Sequence, residues 1–363
     1  MNTFGQNIKI TLFGESHGEA LGITIDGLGS GIEINHQSIK DALTKRRPKS
    51  IYSTSRSEAD EYKVISGVYE GKTTGAPLTF LISNQNAISS DYSSLKNTPR
   101  PSHADYPAHI KYEGFNDPRG GGMFSGRLTA LIVLVGALAK QILNEKGIYV
   151  GSHIKSLHQI EDEPFNPILV DDSLIQKLEK EDFPLINQSL EPLMKEEILK
   201  AKESENSIGG IVESAIIHLP AGIGEPMFLS VESQLSALLF SIPSIKGVEF
   251  GDGFKISSLT GSEANDSYQY INGHVETKSN HNGGILGGLS TGMPIIVRVA
   301  VKPTPSIGMP QSTIDLSTGK DTLLEIKGRH DPAIVNRVVH VINAALYFGI
   351  LDIMYSNGLK GRN

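Results

Sequence analysis

Apolar residues along this chain fall into two kinds of run. Residues 128–139 and 338–355 are apolar at almost every position, with no polar stripe, so helices over about 125–146 and 333–357 are predicted to lie between other layers rather than on a surface. Shorter β-prone runs at 8–13, 78–82 and 295–301 read as strands, and 18–27 reads as a strand returning from a glycine-rich turn. A further helix is expected over 191–202, with Leu193, Ile198 and Leu199 on its apolar side. The first long run is too short for a bilayer, and the second is interrupted by His340, Asn343 and Asp352, so no membrane contact is expected from either.

The pattern repeats. Gly67, Gly71, Thr74, Gly75 and Pro77 match Gly284, Gly288, Thr291, Gly292 and Pro294 in spacing, and each set is followed by a strand-like run, a polar loop, a glycine-arginine cassette and one of the long helices. Glycine-rich hairpin turns can resemble each other by chemistry alone. The shared order of strand, loop, cassette and helix favours two related halves, about 1–150 and 208–363, packed around a pseudo-two-fold as one catalytic domain spanning 1–363. The stretch 159–206, rich in Glu, Asp and Lys, reads as a peripheral insertion without chemistry. The expected class is α+β: a β-α-β sandwich with a buried helical core between antiparallel sheets.

Composition narrows the chemistry. The absence of Cys excludes disulfides, thiolate metal sites and a cysteine nucleophile, and it suits a reducing compartment. With no secretory pattern over the first residues, a cytoplasmic protein is expected. A net charge of −7 disfavours nucleic acid as a partner. Against that acidic background Arg46, Arg47, Arg56, Arg100, Arg119, Arg127, Lys302 and Arg329 gather in or near the glycine-rich segments, which suits a small polyanion.

Three cassettes carry the candidate chemistry. In Gly14-Glu15-Ser16-His17-Gly18, Ser16 and His17 stand on a tight turn at a strand end, where side chains reach a ligand. In Arg119-Gly120-Gly121-Gly122-Met123-Phe124-Ser125-Gly126-Arg127, three glycines lead into the first long helix with Ser125 as its expected N-cap, leaving amides for an anion. Gly328-Arg329-His330-Asp331-Pro332 opens the last helix, where Asp331 could be a proton acceptor or an ordinary cap. Two loops support them: Arg100-Pro101-Ser102-His103, stiffened by prolines, and Lys302-Pro303-Thr304-Pro305-Ser306, a cation and hydroxyls at a strand exit.

These motifs together resemble the chorismate synthase family over nearly the whole chain. The resemblance implies a lyase that eliminates phosphate from 5-enolpyruvylshikimate 3-phosphate, using reduced FMN without net redox change, and commonly acting as a homotetramer. It implies His17, His103, Asp331, Ser16 and Ser125 as catalytic. Met123, Phe124, Ser125, Ser244, Gly287, Lys302, Pro303, Thr304, Pro305, Ser306 and Arg329 would hold FMN, and Arg46, Arg47, Arg100 and Arg127 the substrate. Arg46 also matches a family NADPH position, although Tyr52 stands where an arginine is frequent and no dinucleotide fingerprint accompanies it, so flavin reduction by NADPH is left open. Met123 stands where the family usually has Arg or His, and Leu128 where it has Glu. Two other classes fit parts of the pattern: a flavin oxidoreductase with net electron transfer, and a non-catalytic phospholigand-binding module.

Overall fold

The computed structural model describes residues 2–47, 60–84, 96–326 and 331–356. Pro48, Tyr52, Arg56, Gly328, Arg329 and His330 lie outside the described residues.

Two five-stranded antiparallel sheets enclose a helical layer. The first sheet is built from β1 (Thr3–Phe4), β2 (Lys9–Gly14), β3 (Ala20–Asp26), β4 (Tyr62–Ser66) and β5 (Leu78–Ser83) in the order β1-β2-β3-β5-β4. The second contains β6 (Tyr149–Leu157), β7 (Ile160–Glu161), β8 (Gly210–Ile217), β9 (Ile245–Phe250) and β10 (Ile295–Val301) in the order β9-β10-β8-β6-β7. Leaving out the short edge strands, β2-β3-β5-β4 matches β6-β8-β10-β9, so the same antiparallel path is drawn twice. The repeat extends to the matched glycine segments: each forms a small hairpin, Val68–Tyr69 with Lys72–Thr73 and Ile285–Leu286 with Leu289–Ser290. Because β6 already belongs to the second sheet, that path starts at Tyr149, ahead of the expected position 208.

Helix α1 (His36–Arg46) belongs to the first path, and α2 (Asp105–Lys111) lies on the loop leading to the core helix α3 (Thr129–Asn144). In the second path α4 (Asp172–Lys180) and α5 (Glu191–Glu203) lie between β7 and β8, followed by α6 (Val231–Phe240), the one-turn α7 (Gly261–Ala264) and the core helix α8 (Val335–Ser356). Helices α3 and α8 pack against each other, and their all-round apolarity is accounted for by burial between the sheets. With the 3₁₀ turn before α3 included, the stretch Gly126–Asn144 is long and apolar enough to meet the composition of a membrane span, longer than its apolar run suggested, and so is α8, yet both are mostly buried inside the protein.

The polar residues that interrupt the last helix have internal partners. The Asp352 carboxylate accepts the amides of Gln6, Asn7 and Ile8, each at 2.8 Å, pinning the N-terminal segment to α8. Asn343 donates to the Val150 carbonyl at 3.0 Å and so ties α8 to β6.

The stretch between β7 and β8 contributes to packing. Phe183, Leu185, Met194 and Ile198 join the main core, while Phe165, Val170, Ile175 and Leu178 cover the outer face of the second sheet against Ala215, Ile217 and Ile296. On α5 the buried residues are Met194, Ile198 and Ala201; Leu193 is 52 % exposed, so the apolar side is turned away from the expected position.

Candidate active site

The turn between β2 and β3 places Ser16 and His17 at one end of the first sheet, where both are buried. Ser16 Oγ lies 3.1 Å from His17 Nδ1, and the Ser16 amide donates to the Gly122 carbonyl at 3.2 Å. That second contact joins the first cassette to the glycine turn, more than a hundred residues away in the chain.

The turn itself differs from the expected helix start. Gly120, Gly121 and Gly122 all have left-handed backbone, with φ of 57°, 85° and 53°, a sequence of conformations that side chains resist. Ser125 caps a short 3₁₀ turn, Gly126–Leu128, by accepting from the Arg127 amide, and the α-helix begins only at Thr129.

The glycines also leave room for two histidines. A Cβ on Gly120 would stand 2.2 Å from the His17 ring and 2.7 Å from Ser16 Oγ, and one on Gly121 would stand 3.3 Å from His103 Cε1 and 3.4 Å from Nε2. Consecutive residues of one turn therefore bring together His17 and His103 from separate segments.

His103 sits in an ionic cluster. Asp105 accepts from Arg100 Nε at 2.7 Å and from Nη2 at 2.9 Å, and its Oδ1 lies 2.5 Å from His103 Nδ1. Burial pushes the Asp105 carboxyl up, but hydrogen bonds from Arg100 and His103, reinforced by their charges, outweigh it and hold the group well below the usual carboxylate range. On the other side of the guanidinium, Arg100 Nη1 donates to Ser306 Oγ at 3.1 Å. Lys302 Nζ donates to the Ser102 carbonyl at 2.6 Å, so the 302–306 segment and the Arg100 loop are stitched together. Burial, and then Lys246, lower the Lys302 pKa.

The third cassette joins through the same segment. Thr304 Oγ1 donates to the Asp331 carbonyl at 2.8 Å, and Arg337 Nη1 donates to Asp331 Oδ2 at 2.8 Å. Arg337 Nε donates to the Arg46 carbonyl at 3.2 Å. Arg46, 5 % exposed, gives its side-chain hydrogens to Thr129 Oγ1, to the carbonyls of Gly126 and Arg127, and to Asp60. Asp60 also pairs with Arg127 and lies 3.8 Å from Arg47 Nε.

One connected network thus holds Ser16, His17, the glycine turn, Arg100, His103, Lys302, Thr304, Ser306, Asp331, Arg46, Arg47 and Arg127. Met123 faces α2, where the Tyr112 hydroxyl donates to its Sδ at 3.8 Å, and Phe124 lies at a tilt to the Tyr112 ring. Pro303 and Pro305 flank Thr304 on the stitched loop. Ser244, at φ 77°, meets this loop through its carbonyl, which accepts the Lys302 amide at 3.0 Å. Gly287 is exposed on its small hairpin, whose next residue packs on Ser230; no described hydrogen bond ties it to the histidines.

Sequence reasoning gave no role to Asp105, Asp60 or Arg337. Asp105 was within reach, since it lies two residues from His103; Asp60 and Arg337 act on partners that only the fold brings near.

The donor set suits a flavin phosphate and a polar ring edge. Lysine, hydroxyls and a turn without side chains converge, and a Cβ at either glycine beside the histidines would fill the cradle. Among the described residues no cluster of His, Cys, Asp and Glu could hold a metal ion.

Comparison with known proteins places the chain in a family. Residues 8–355 match the family model described as chorismate synthase. The chain is 44 % identical over 357 residues to chorismate synthase of Thermococcus gammatolerans, covering 96 % of both chains. It is also 44 % identical over 360 residues to that of Methanococcoides burtonii, covering 98 % of this chain and 96 % of the relative. A crystal structure of chorismate synthase superposes with a TM-score of 0.77 at 26 % identity, covering 98 % of this chain and 94 % of the other. With the family model spanning both core helices and all three cassettes, the chain belongs to the chorismate synthase family.

Proposed function

We propose that His17, His103 and Asp331 divide the proton work of this chain's reaction, the elimination of phosphate from 5-enolpyruvylshikimate 3-phosphate to give chorismate. The enzyme is a carbon–oxygen lyase. Its reaction breaks one C–H and one C–O bond across the ring: a proton leaves carbon, and phosphate leaves with the C–O electron pair. When bound, reduced FMN supplies electron density transiently, which eases a cleavage that acid and base alone accomplish poorly.

The single observation that carries this assignment is the glycine turn, where Gly120 accommodates His17 and Gly121 accommodates His103. His103 donates a proton from Nε2 to the departing phosphate, and Arg100 beside it balances the phosphate charge. Asp331, oriented by Arg337, takes up the ring proton. His17, backed by Ser16, holds the flavin's polar edge. Lys302, Thr304 and Ser306, with the rigid Pro303 and Pro305, hold the cofactor together with Ser244, Ser125, Met123, Phe124, Gly287 and Arg329. Arg127 and Arg47 add positive charge towards the substrate's anionic groups. The intramolecular partners of Arg46 favour a positioning task, fixing the 126–129 turn through Gly126, Arg127 and Thr129.

Anaerobic phosphate release from the shikimate-derived substrate with photoreduced FMN tests the reading. Many turnovers per flavin, with the flavin still reduced at the end, are expected. One flavin oxidised per product, or equal rates with oxidised FMN, would overturn it. A parallel arm with oxidised FMN and NADPH reports whether the chain reduces its own flavin.

A further inference from the structure

Asp105 is the least expected member of the cluster. It sits in the first turn of α2, takes three hydrogen bonds from Arg100 including one from its backbone amide at 3.0 Å, and reaches the histidine nitrogen that faces away from Gly121. We propose that Asp105 is a positioning residue that fixes the tautomer of His103, keeping a proton on Nδ1 so that Nε2 is the nitrogen that gains and loses the catalytic proton. This rests on the role of His103 in the proposed function.

Donors and acceptors decide the tautomer. His103 Nδ1 has two neighbours, Asp105 Oδ1 at 2.5 Å and Arg100 Nη2 at 3.1 Å. A guanidinium can only donate, and an ionised carboxylate can only accept. If Nδ1 were bare, it could accept from Arg100, but it would then set a lone pair against the carboxylate at the shorter distance. With a proton on Nδ1 the close contact becomes a charge-assisted hydrogen bond, and Arg100 Nη2 loses nothing, because it already donates to the same Oδ1 at 2.9 Å. The Nδ1–H form satisfies all three groups, so neutral His103 carries its lone pair on Nε2, at the glycine cradle.

Among the described residues the charges facing His103 are few. Asp105 and Arg100 lie on its own loop and helix, Lys302 reaches Ser102 beside it from the strand exit, and the glycine turn brings no charge at Gly121. Asp105 is the anion among them, set against two cations. Because it also grips Arg100, it locks the phosphate-facing cation and the acid in one relative geometry. Removing it disturbs proton transfer more than binding, since Arg100 keeps Ser306.

The test is Asp105→Asn with two readouts that a merely structural role would leave in place. On ¹⁵N-histidine-labelled enzyme, with His103→Gln assigning the signal, the wild type should show neutral His103 as the Nδ1–H tautomer. In Asp105→Asn kcat should fall by about 10- to 100-fold, part of a general acid's usual contribution. KM should move less, a split between turnover and binding. Wild-type His103 in the Nε2–H tautomer would overturn the proposal even if Asp105→Asn failed to fold, and so would a folded Asp105→Asn with unchanged kcat. Wild-type enzyme that releases no phosphate would instead overturn the proposed function, a result separate from either.

Discussion

The two sheets follow the same antiparallel path and are finished differently. In the first sheet β5 alternates: Leu78, Phe80 and Ile82 face the helices while Thr79, Leu81 and Ser83 face outward. In the second, β6 and β8 are buried on both faces, because residues between β7 and β8 cover the outside. The connection explains the difference. Between β2 and β3 the chain needs only a short turn and uses it for Ser16 and His17; the matching connection, from β6 to β8, runs through β7, α4 and α5 and becomes a cover. A repeated frame can thus lend one connection to chemistry and the other to packing.

Beneath the cover lies charge. His153 on β6, Glu213 on β8, Arg298 on β10 and Glu249 on β9 form a row across four neighbouring strands. His153 Nε2 lies 3.1 Å from Glu213, Arg298 donates to Glu213 at 3.3 Å and to Glu249 at 2.6 Å, and His153 Nδ1 meets Asp162 at 3.0 Å. Asp162 and Glu213 also accept amides of the cover, from Ile186, Asn187 and Phe165, so the row fastens the cover to the sheet. On the outward face of the first sheet the half-buried Thr24 and Thr79 hydroxyls meet at 3.1 Å, in water's reach.

The largest effect should come from breaking this row. Glu213→Gln leaves Arg298 and His153 each short of a carboxylate in a buried setting, where removing one partner of an ion pair costs about 3–5 kcal/mol. The value should lie near the low end, as Arg298 keeps Glu249 and His153 keeps Asp162. Thr24→Val on the first sheet should change stability by no more than about 0.5 kcal/mol. Denaturant unfolding of both variants measures the contrast, and similar small losses in the two would show that the cover is not held by its charges.

The fold was legible where one-dimensional pattern and burial coincide. The two core helices announce themselves by being apolar all round, and the matched glycine hairpins by turn chemistry. The charged row was hidden for the opposite reason: His153, Glu213 and Arg298 read locally as surface, and only strand pairing supplies their partners. On α5 the choice between Leu193 and Met194 depends on which side meets the core, which an evenly mixed helix does not state. In the site, His17 and His103 were legible from their motifs. Asp60 and Arg337 were not, because the first matters for arginines at 46, 47 and 127 and the second bridges Asp331 to the Arg46 carbonyl. Ser125 is a cap, but of the 3₁₀ turn Gly126–Leu128 and not of the long helix as expected, because the left-handed glycines before it set a separate turn first.

A smaller effect separates the core helices. Replacing a helical glycine by alanine gains about 1 kcal/mol of helix propensity where space allows. At Gly136 on α3 the new Cβ would stand 2.4 Å from Ala344 Cβ and from its carbonyl oxygen, so backbone must move; at Gly349 on α8 it would meet the methyl ends of Leu235 at 2.6 Å and Leu238 at 3.2 Å, which can rotate. Gly136→Ala should therefore be destabilising by about 1–3 kcal/mol, and Gly349→Ala close to neutral. Adding Ala344→Gly to Gly136→Ala should recover part of the loss. Equal melting temperatures for the two single variants would mean that the helices can separate at their crossing without cost.

The smallest effect should appear in the pH dependence of stability, and it belongs to the second sheet alone. Burial lowers the His153 pKa, but hydrogen bonds and charges from Asp162 and Glu213 outweigh it and raise the group above its ordinary value. A group raised in the folded state contributes stability that is complete below its unfolded pKa, about 6.5, and is lost as pH rises through the folded value. Asp162 and Glu213 run the other way: burial raises them, His153 and the cover's amides prevail, and their contribution is complete above about 4.3 and is lost as pH falls through their folded values. Stability should therefore be greatest between those limits and decline on both sides. The alkaline decline should be smaller than the loss in Glu213→Gln, since neutral His153 can still hydrogen-bond a carboxylate and Arg298 keeps Glu213. His153→Gln, which cannot titrate, should flatten the alkaline decline. Urea unfolding of wild type and His153→Gln from pH 5 to pH 9 measures this; parallel curves across that range would show that the alkaline loss arises elsewhere, and that His153 is a neutral spacer beneath the cover.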